Sequence, residues 1–421
     1  MSKTSRLPSF YKLSPRERIQ IVKEFAELSP EEIEVLLQST GSLTLELADR
    51  MIENVVGAFP VPLGVAVNFL INGRDYLIPM AIEEPSVVAA ASNGAKMARE
   101  KDGFFASSTE SVMIGQVQLV DVPRPDEAKL AILAAKEEIL TKANEGHRTI
   151  NAKDLDVKVI QASSGPMVVT ELHVDCKDAM GANVVDSMAE AVAPLIERIT
   201  GGRVYLRIVS NLATKRLAKA WTTVPKEAVG GEEVVDGIVE ACAFAAADPY
   251  RAATHNKGIM NGVTAVVLAT GNDVRAVEAG AHAYAALSGQ YRPLSTWDKT
   301  ESGDLHGEIE LPLAVGIIGG ATKAHPVARV ALKILGVRSA RELAEVTAAV
   351  GLAQNLAALR ALAHEGIQRG HMKLHARNLA ISVGATGELV DVIVQKMIEE
   401  GNIKMSRARE LLEELKGKEK L

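Results

Sequence analysis

The residues best suited to chemistry lie on both sides of one apolar run, residues 263–270. Arg251, Lys257 and Asn261 precede the run, and Asp273 follows it. Because the run is short and rich in β-branched residues, it predicts a buried strand with a polar loop at each end. Loops held on rigid elements often carry catalytic groups. A lysine and a carboxylate so placed could stabilise an oxyanion and transfer a proton.

These residues also have ordinary structural explanations. Asp273 could cap the helix predicted after it, and Lys257 could be a surface lysine. His255 and Asn256 belong to the same predicted loop, and His282 lies in an Ala-rich helix where a packed histidine is expected. The joint pattern is therefore more informative than any single residue.

That joint pattern is RAATHNKGIMNG at residues 251–262, then the apolar run, then ATGND at residues 269–273. It resembles the 3-hydroxy-3-methylglutaryl-coenzyme A (HMG-CoA) reductases of the soluble bacterial and archaeal class. The resemblance extends from about residue 5 to beyond residue 400. It implies reduction of the HMG-CoA thioester to mevalonate, with release of coenzyme A and oxidation of NAD(P)H. The direction of the reaction in the cell stays open.

The block EEPSVVAAAS, residues 83–92, matches the same family and precedes a predicted helix. A carboxylate in this place usually caps the helix or interacts with its dipole. The resemblance implies instead that Glu84, directly before the proline, is catalytic, and that Glu83 is not. It also implies that Ser86, Arg251 and Asn261 hold the distal carboxylate of the substrate, for which an arginine fork is suited.

The resemblance also implies which residue serves each remaining step of the reaction. Lys257 stabilises the oxyanion that forms as hydride arrives. His371 protonates the departing thiolate, because imidazole titrates near neutral pH. Glu84, kept protonated by its surroundings, supplies the proton in the second reduction, and Asp273 is expected beside both Lys257 and Glu84.

His371 lies in GHMKLHARN, residues 370–378, which resembles the mobile C-terminal segment of the family. On a continuous helix His364, His371 and His375 would share one face and could bind zinc. Gly366 and Gly370 are expected to interrupt that helix, and no HExxH motif occurs. We therefore predict no metal site and a flap that moves about these glycines.

Residues 111–210 have an organisation of their own. Predicted strands and helices follow the order βαββαβ, the split pattern of ferredoxin-like domains, with no GxGxxG after a strand. We predict an inserted cofactor domain. The predicted elements are strands at 112–122, 155–162, 167–174 and 204–209 and helices at 125–144 and 183–200.

A helix start at residues 178–183, DAMGAN, could bind an anion such as a dinucleotide pyrophosphate. Its resemblance to the cofactor motif of the family implies NAD binding by the residues Asp178, Met180, Gly181, Ala182 and Asn183.

Cofactor selectivity is expected to depend on Asp154, in the predicted loop 151–154. A carboxylate there can accept hydrogen bonds from a free ribose 2′-hydroxyl. Arg148 and Lys153 could instead pair with a 2′-phosphate. Asp154 could also be a solvated loop charge. NADH is favoured, and NADPH stays possible.

The fold class is α+β. A large, mostly helical domain with a central buried strand region is expected from residues 1–110 and 211–368. The cofactor domain (111–210) is inserted in it, and a small helical flap (369–421) follows. ENVVG, residues 53–57, resembles the family signature near the subunit interface and the coenzyme A site. The resemblance implies a homodimer or larger homo-oligomer with the active site between chains.

Composition narrows the function classes further. The 421 residues are 47% hydrophobic and 24% charged, with net charge −6, which disfavours nucleic acid as a partner. The absence of a signal peptide or an apolar run near 20 residues predicts a cytoplasmic protein without a membrane span. With only Cys176 and Cys242, a reducing compartment is expected. A non-catalytic coenzyme A thioester-binding protein of the same fold is the main alternative.

Overall fold

The computed structural model describes residues 3–365 and 367–418, without the side chains of residues 321, 364, 365, 367–374, 417 and 418. Its α-helices in the first half are α1 (Pro15–Ala26), α2 (Pro30–Leu37), α3 (Leu45–Asp49), α4 (Val87–Arg99), α5 (Pro125–Ala134), α6 (Lys136–Asn144) and α7 (Ala182–Thr200). Those in the second half are α8 (Lys226–Val229), α9 (Glu232–Ala247), α10 (Pro249–Ala269), α11 (Val274–Ala285), α12 (Gly320–Ala324), α13 (Pro326–Leu335), α14 (Ala340–Arg360), α15 (Ile367–Ser382), α16 (Glu388–Glu399) and α17 (Met405–Lys418).

The strands form three sheets among the described residues. They are β1 (Leu63–Ile71), β2 (Arg74–Ala81), β3 (Phe105–Ser108), β4 (Val112–Val120), β5 (Asn151–Ala162), β6 (Gly165–Asp175), β7 (Arg203–Ser210), β8 (Leu217–Val224), β9 (Ser295–Lys299) and β10 (Leu305–Pro312). The sheet orders are β1-β2, β3-β8-β10-β9 and β5-β6-β4-β7. The predicted mixture of helices and strands is confirmed.

The first two helices begin at residues 14–17 and 29–32, where the pattern Ser-Pro-x-Glu predicts a capping box. Ser14 and Ser29 each accept a hydrogen bond from the backbone of a glutamate three residues later, Glu17 and Glu32. The glutamate carboxylates accept in return from the serine backbone N–H groups, both at 2.7 Å. These capping boxes satisfy N–H groups that a helix start leaves unpaired.

The largest hydrophobic core lies between the β3-β8-β10-β9 sheet, the β1-β2 hairpin and the helices α4, α10 and α14. Helix α14 is buried along nearly its whole length, including Leu343, Val350 and Leu356. An 18-residue window within Ala340–Ala363 has a mean hydropathy of 1.3, enough for a membrane span by composition. Since 72% of that window is buried inside the protein, the apolar character is explained by the core.

The sheet β5-β6-β4-β7 packs one face against α5, α6 and α7 and has a separate core. All of its neighbouring strands pair antiparallel. Its elements follow the order β-α-β-β-α-β, with the two helical segments α5 and α6 in the first connection. The interpretation of residues 111–210 as an inserted ferredoxin-like cofactor domain stays a prediction, as do the other domain boundaries.

The predicted strand at residues 263–270 is wrong, because this segment is the C-terminal part of the 21-residue helix α10. Asp248 caps the helix by accepting a hydrogen bond from the Arg251 backbone at 2.9 Å, and Pro249 occupies its first turn. Packing against α14 and β2 buries the helix on several sides. An apolar run buried in this way has no clear 3.6-residue period, so it can be mistaken for a strand.

Three smaller expectations are also corrected. Residues 151–154 are the start of β5 and not a loop, with a register shift between Ala152 and Asp154. The two adjacent glycines at residues 319–320 predict a glycine-rich loop over residues 319–323, but most of this segment is the short helix α12. Gly370 lies within α15 and does not interrupt it, whereas Gly366 is outside the described residues.

Helices α15, α16 and α17 enclose a small core of their own, centred on Ile393, Met397 and Leu411. Arg407 joins α17 to the end of α16 through ion pairs with Glu400. These three helices thus form a unit with an internal core, and its role as a flap stays a prediction.

Candidate active site

Lys257 and Glu84 form an ion pair, with Nζ 2.8 Å from Oε2. Glu84 follows β2 and precedes α4, while Lys257 lies in the third turn of α10. Their side chains are 60% and 38% exposed, respectively, so a ligand can reach both. An accessible ammonium beside a carboxyl can stabilise an oxyanion and exchange a proton with it.

Ser86, two residues after Glu84, has an unusual backbone. It is the N-cap of α4 at φ 76° and ψ −20°, the left-handed region, and its side chain makes no capping hydrogen bond. A serine in this conformation is strained, and such strain concentrates at ligand sites. The Ser86 hydroxyl is therefore not used in the capping role that serine usually has.

Helix α10 decides how the other predicted substrate ligands are arranged. Lys257 and Asn261 are four residues apart and share one helical face. Arg251 is partly buried in the first turn of the same helix, nearly two turns before Lys257. The three residues are thus presented by one rigid element and not by the loop that the sequence predicted.

A buried polar network below this face was not recognised from the sequence. His255 is 2% exposed, and its Nε2 lies 2.7 Å from Ser295 Oγ and 3.2 Å from Asn355 Nδ2. Asn355 Oδ1 accepts hydrogen bonds from Ser295 Oγ and, at 2.6 Å, from Trp297 Nε1. Burial, with a smaller effect of Arg251, lowers the pKa of His255 to about 4, so its imidazole is neutral at pH 7.

Asn256 also attaches α10 to the backbone before β9, because its side-chain amide both donates and accepts a hydrogen bond there. Its Nδ2 donates to Arg292 O and its Oδ1 accepts from Leu294 N, each at 2.9 Å. Spacing could have revealed these buried positions, since Ala252, Asn256 and Ile259 recur at helical intervals. The network makes His255 and Asn256 structural supports of the helix that carries Lys257.

Asp273 occupies the corner between α10 and α11. Gly271, at φ 67°, ends α10 with the paired backbone bonds of a Schellman motif, Gly271 N to Leu268 O and Asn272 N to Val267 O. Asp273 then caps α11, accepting from the backbone N–H groups of Arg275 and Ala276 at 3.0 and 3.1 Å. The simple capping explanation of Asp273 is thus confirmed.

The expected contact of Asp273 with Lys257 and Glu84 is not found within this chain's described residues. Lys257 precedes the last residue of α10 by twelve positions, a rise of about 18 Å along the helix. Asp273 lies beyond that end. One chain therefore places Asp273 beyond the C-terminal end of α10 and the Lys257–Glu84 pair near the middle of the helix.

The predicted cofactor motif surrounds the start of α7. Gly181 is the N-cap at φ 108°, and it contributes no side chain to the amide groups of the first turn. A 19-residue helix with an uncapped N-terminus suits an anion such as a pyrophosphate. Asp178 faces inward and accepts the backbone N–H of Ala340 at 2.9 Å. Met180, Gly181 and Ala182 are partly buried, and Asn183 is exposed.

Asp154 makes an ion pair with Lys136 and accepts the Leu155 N–H at 2.8 Å. The Lys136 ammonium is the main cause that holds the pKa of Asp154 below its usual range. Lys153 is paired with Asp175 at 2.8 Å and Glu110 at 3.0 Å. Lys153 is thus held by two carboxylates and less available to a cofactor phosphate than the sequence implied.

His371 belongs to α15, but its side chain and that of His364 lie outside the described part of the structure. His375 is exposed on the same helix. Among the described residues, no group of three or more His, Cys, Asp or Glu side chains is arranged to hold a metal ion.

The segment containing ENVVG is extended over the surface and exposes large apolar side chains. Ile52 is 66% exposed, Val56 is 100% and Phe59 is 92%. Exposed apolar groups of this size, clustered in sequence, are typical of a surface covered by a partner.

The sequence profile of the hydroxymethylglutaryl-coenzyme A reductase family matches residues 14–376. The 3-hydroxy-3-methylglutaryl-coenzyme A reductase of Archaeoglobus fulgidus is 59% identical over 418 residues, covering 98% of this chain and 95% of the relative. A probable reductase of the same name from Borreliella burgdorferi is 36% identical, covering 89% and 88%.

Solved structures agree in fold. A class II 3-hydroxy-3-methylglutaryl-CoA reductase from Streptococcus pneumoniae, bound to NADPH in open conformations, superposes with a TM-score of 0.81 at 41% identity, covering 96% of this chain and all of the other. Another structure of the reductase from Streptococcus pneumoniae gives a TM-score of 0.82 at 40% identity, covering 97% and 99%.

Proposed function

This chain belongs to the hydroxymethylglutaryl-coenzyme A reductase family, and from that premise we propose that it reduces HMG-CoA to mevalonate. Two equivalents of reduced nicotinamide cofactor and two protons are consumed, and coenzyme A leaves as its thiol. The observation that carries the proposal is the accessible Lys257–Glu84 pair, which joins two family motifs at 2.8 Å.

In the first reduction, hydride adds to the thioester carbon, and Lys257 stabilises the negative charge that develops on the carbonyl oxygen. A fixed cation stabilises this transition state more than the ground state. His371 then protonates the thiolate of coenzyme A. When bound, a reduced nicotinamide cofactor would supply the hydride of the first reduction, and a second cofactor molecule would supply that of the second reduction.

In the second reduction, Glu84 gives a proton to the aldehyde oxygen of mevaldehyde while Lys257 stays beside it. Contact with Lys257 at 2.8 Å gives the pair a direct path for proton exchange. Ser86, Arg251 and Asn261 hold the distal carboxylate of the substrate, with the arginine fork as the principal anchor.

The active site is completed by a second copy of the chain. Asp273 is separated from Lys257 along α10, so an Asp273 that serves the Lys257–Glu84 pair has to come from another protomer. The exposed apolar segment at residues 52–59 supports association into a homodimer or a larger homo-oligomer. In this arrangement Asp273 caps α11 in its own chain and lies near Glu84 and Lys257 of its partner.

The cofactor is held by Asp178, Met180, Gly181, Ala182 and Asn183, with the pyrophosphate at the N-terminus of α7. NADH is the preferred form, supported by the partly exposed carboxylate of Asp154 and by the engagement of Lys153 with two acids. Because the Streptococcus pneumoniae reductase was solved with bound NADPH, the experiment below compares both cofactors. Free, buried Cys176 and Cys242 support a reducing, cytoplasmic location.

The test measures oxidation of NADH and of NADPH in parallel, with and without HMG-CoA, and repeats both with Lys257→Ala. HMG-CoA-dependent oxidation and formation of free thiol are expected for the natural chain only. A protein that binds HMG-CoA but oxidises neither cofactor would instead be the non-catalytic thioester-binding protein of the same fold. Mevalonate with the oxidised cofactor and coenzyme A tests the reverse direction.

A further inference from the structure

Arg216 is a buried cation whose guanidinium contacts backbone oxygens. It is 4% exposed and donates from Nη1 to Met180 O at 2.7 Å, and from Nη2 to Ala179 O at 3.1 Å and to Val315 O. Among the described residues it forms no ion pair with a carboxylate. A buried charge is costly unless its hydrogen bonds are satisfied, so these carbonyl contacts fix the side chain firmly.

Two of its acceptors lie in the proposed cofactor motif, and the third lies in a connecting segment, residues 313–318, which we call the strap. The strap continues β10 beyond Pro312, which pairs with Leu217 at the start of β8. Leu313 N extends this register by donating to Arg216 O at 3.0 Å. Arg216 is thus placed by the sheet beside both the strap and the motif.

The strap also touches the cofactor motif directly. Ile317 N donates to Asp178 O at 2.9 Å. Gly316 passes so close that an added Cβ would lie 2.5 Å from Met180 N. No side chain fits between the strap and the motif at this point.

On its other side the strap is clamped by Asn272, the neighbour of Asp273. Asn272 Oδ1 accepts from Gly316 N at 2.7 Å, and its Nδ2 donates to Gly316 O at 3.1 Å. The bidentate amide therefore ties the corner between α10 and α11 to the same glycine that meets Met180. One short path links the cofactor motif to Asp273.

We infer that Arg216 and Asn272 are positioning residues for hydride transfer, which hold the cofactor motif at a fixed distance from Asp273 through the strap. The inference rests on the proposed reductase function. Neither side chain needs to touch the substrate. Misplacement of reacting groups by about 1 Å can cost on the order of 100-fold in rate, so a loosened strap lowers turnover without removing a catalytic group.

The test uses Asn272→Ala, Arg216→Lys and Gly316→Ala in the full-length protein. Arg216→Lys keeps the charge but lacks the fork needed for several carbonyls. Asn72→Ala is the matched control, because Asn72 clamps Ala106 in the same bidentate way, at 2.9 Å for both bonds. Because Asn72 has φ 49°, a conformation that alanine rarely adopts, Asn72→Ala should destabilise the protein at least as much as Asn272→Ala.

Each strap variant is expected to lower kcat by about 10- to 100-fold, to weaken cofactor binding, and to change the KM for HMG-CoA by less than about twofold. The primary isotope effect measured with deuterated reduced cofactor should rise, equally for HMG-CoA and for free mevaldehyde, because both reductions use the same hydride donor. Asn72→Ala should show neither change.

Wild-type cofactor affinity and isotope effect in Asn272→Ala and Gly316→Ala would overturn the inference, as would losses no larger than those of Asn72→Ala. If Arg216→Lys does not fold, the other two variants still decide. Cofactor affinity is measured by titration without substrate. It therefore tests the strap even where the natural chain shows no reductase activity, which would count against the proposed function alone.

Discussion

Lys257 Nζ lies 2.8 Å from Glu84 Oε2, although the two residues are 173 positions apart in the chain. The pair forms where α10 passes the junction between β2 and α4. Each residue comes from a different motif, and the fold alone brings them together. This contact makes a cation and a proton-carrying group available at one exposed place.

Lys257→Ala should lower turnover by about 100- to 1,000-fold, the effect expected when a preorganised oxyanion partner is lost. Folding and HMG-CoA binding should stay largely intact, since Lys257 is 60% exposed. The measurement is steady-state kinetics together with thermal unfolding. Lys299→Ala, which removes a surface lysine paired with Glu232 and Asp236, is the control. Near-normal turnover in Lys257→Ala would remove this residue from the mechanism.

Mixing two inactive variants should restore activity if Asp273 acts across the subunit interface. Lys257→Ala and Asp273→Asn are unfolded together and refolded as mixed oligomers, and asparagine still caps α11. Random pairing gives one intact site in half of the dimers, so about a quarter of the natural activity is expected. Each variant refolded alone is the control. Mixed oligomers as inactive as the parents would place Asp273 outside the partner's site.

His371→Gln should slow reduction of HMG-CoA more than reduction of free mevaldehyde, because only the thioester releases a thiolate that needs a proton. Turnover of the two substrates is compared in the same preparation. His375→Gln, on the same helix and exposed, is the matched control and should lower neither rate. Equal losses on both substrates would contradict the assigned role of His371.

Asp154→Ser should narrow a preference for NADH, mainly by improving kcat/KM for NADPH, because a carboxylate repels a ribose 2′-phosphate. The structure adds a comparison, since Asp154 is paired with Lys136. Lys136→Met should weaken use of NADPH, because it removes the cation beside that carboxylate. A natural preference for NADPH, or an unchanged ratio in Asp154→Ser, would show that Asp154 does not select the cofactor.

His255 should make the protein less stable in mild acid. Its folded pKa, about 4, is below the ordinary value of 6.5, so the unfolded chain binds the extra proton first. Stability is therefore fully present above pH 6.5 and falls as the pH drops toward 4, by up to about 1.4 kcal/mol per pH unit. Urea unfolding at several pH values should show a shallower loss for His255→Gln than for the natural chain. Identical pH dependence would contradict this origin.

Local sequence patterns were sufficient to predict the elements whose conformation depends on short-range interactions. The capping boxes at Ser14 and Ser29 and the strands and helices of residues 112–210 follow from short-range hydrogen bonding and periodicity, and the structure has them close to the predicted positions. The family motifs likewise predicted Glu84 and Lys257 as catalytic residues. Those roles stay predictions, but the structure does bring Glu84 into contact with Lys257.

Only the tertiary structure decided the conformation of residues 263–270 and the surroundings of Asp273. The apolar run is compatible with a strand or a helix, and packing against α14 and β2 selects the helix. Because α10 is one continuous helix, it separates Lys257 from Asp273 while it brings Lys257 to Glu84. The hydrogen bonds of His255 and Arg216 with residues distant in sequence were likewise decided by the tertiary structure. Burial and long-range hydrogen bonds depend on segments far apart in sequence, which no local pattern encodes.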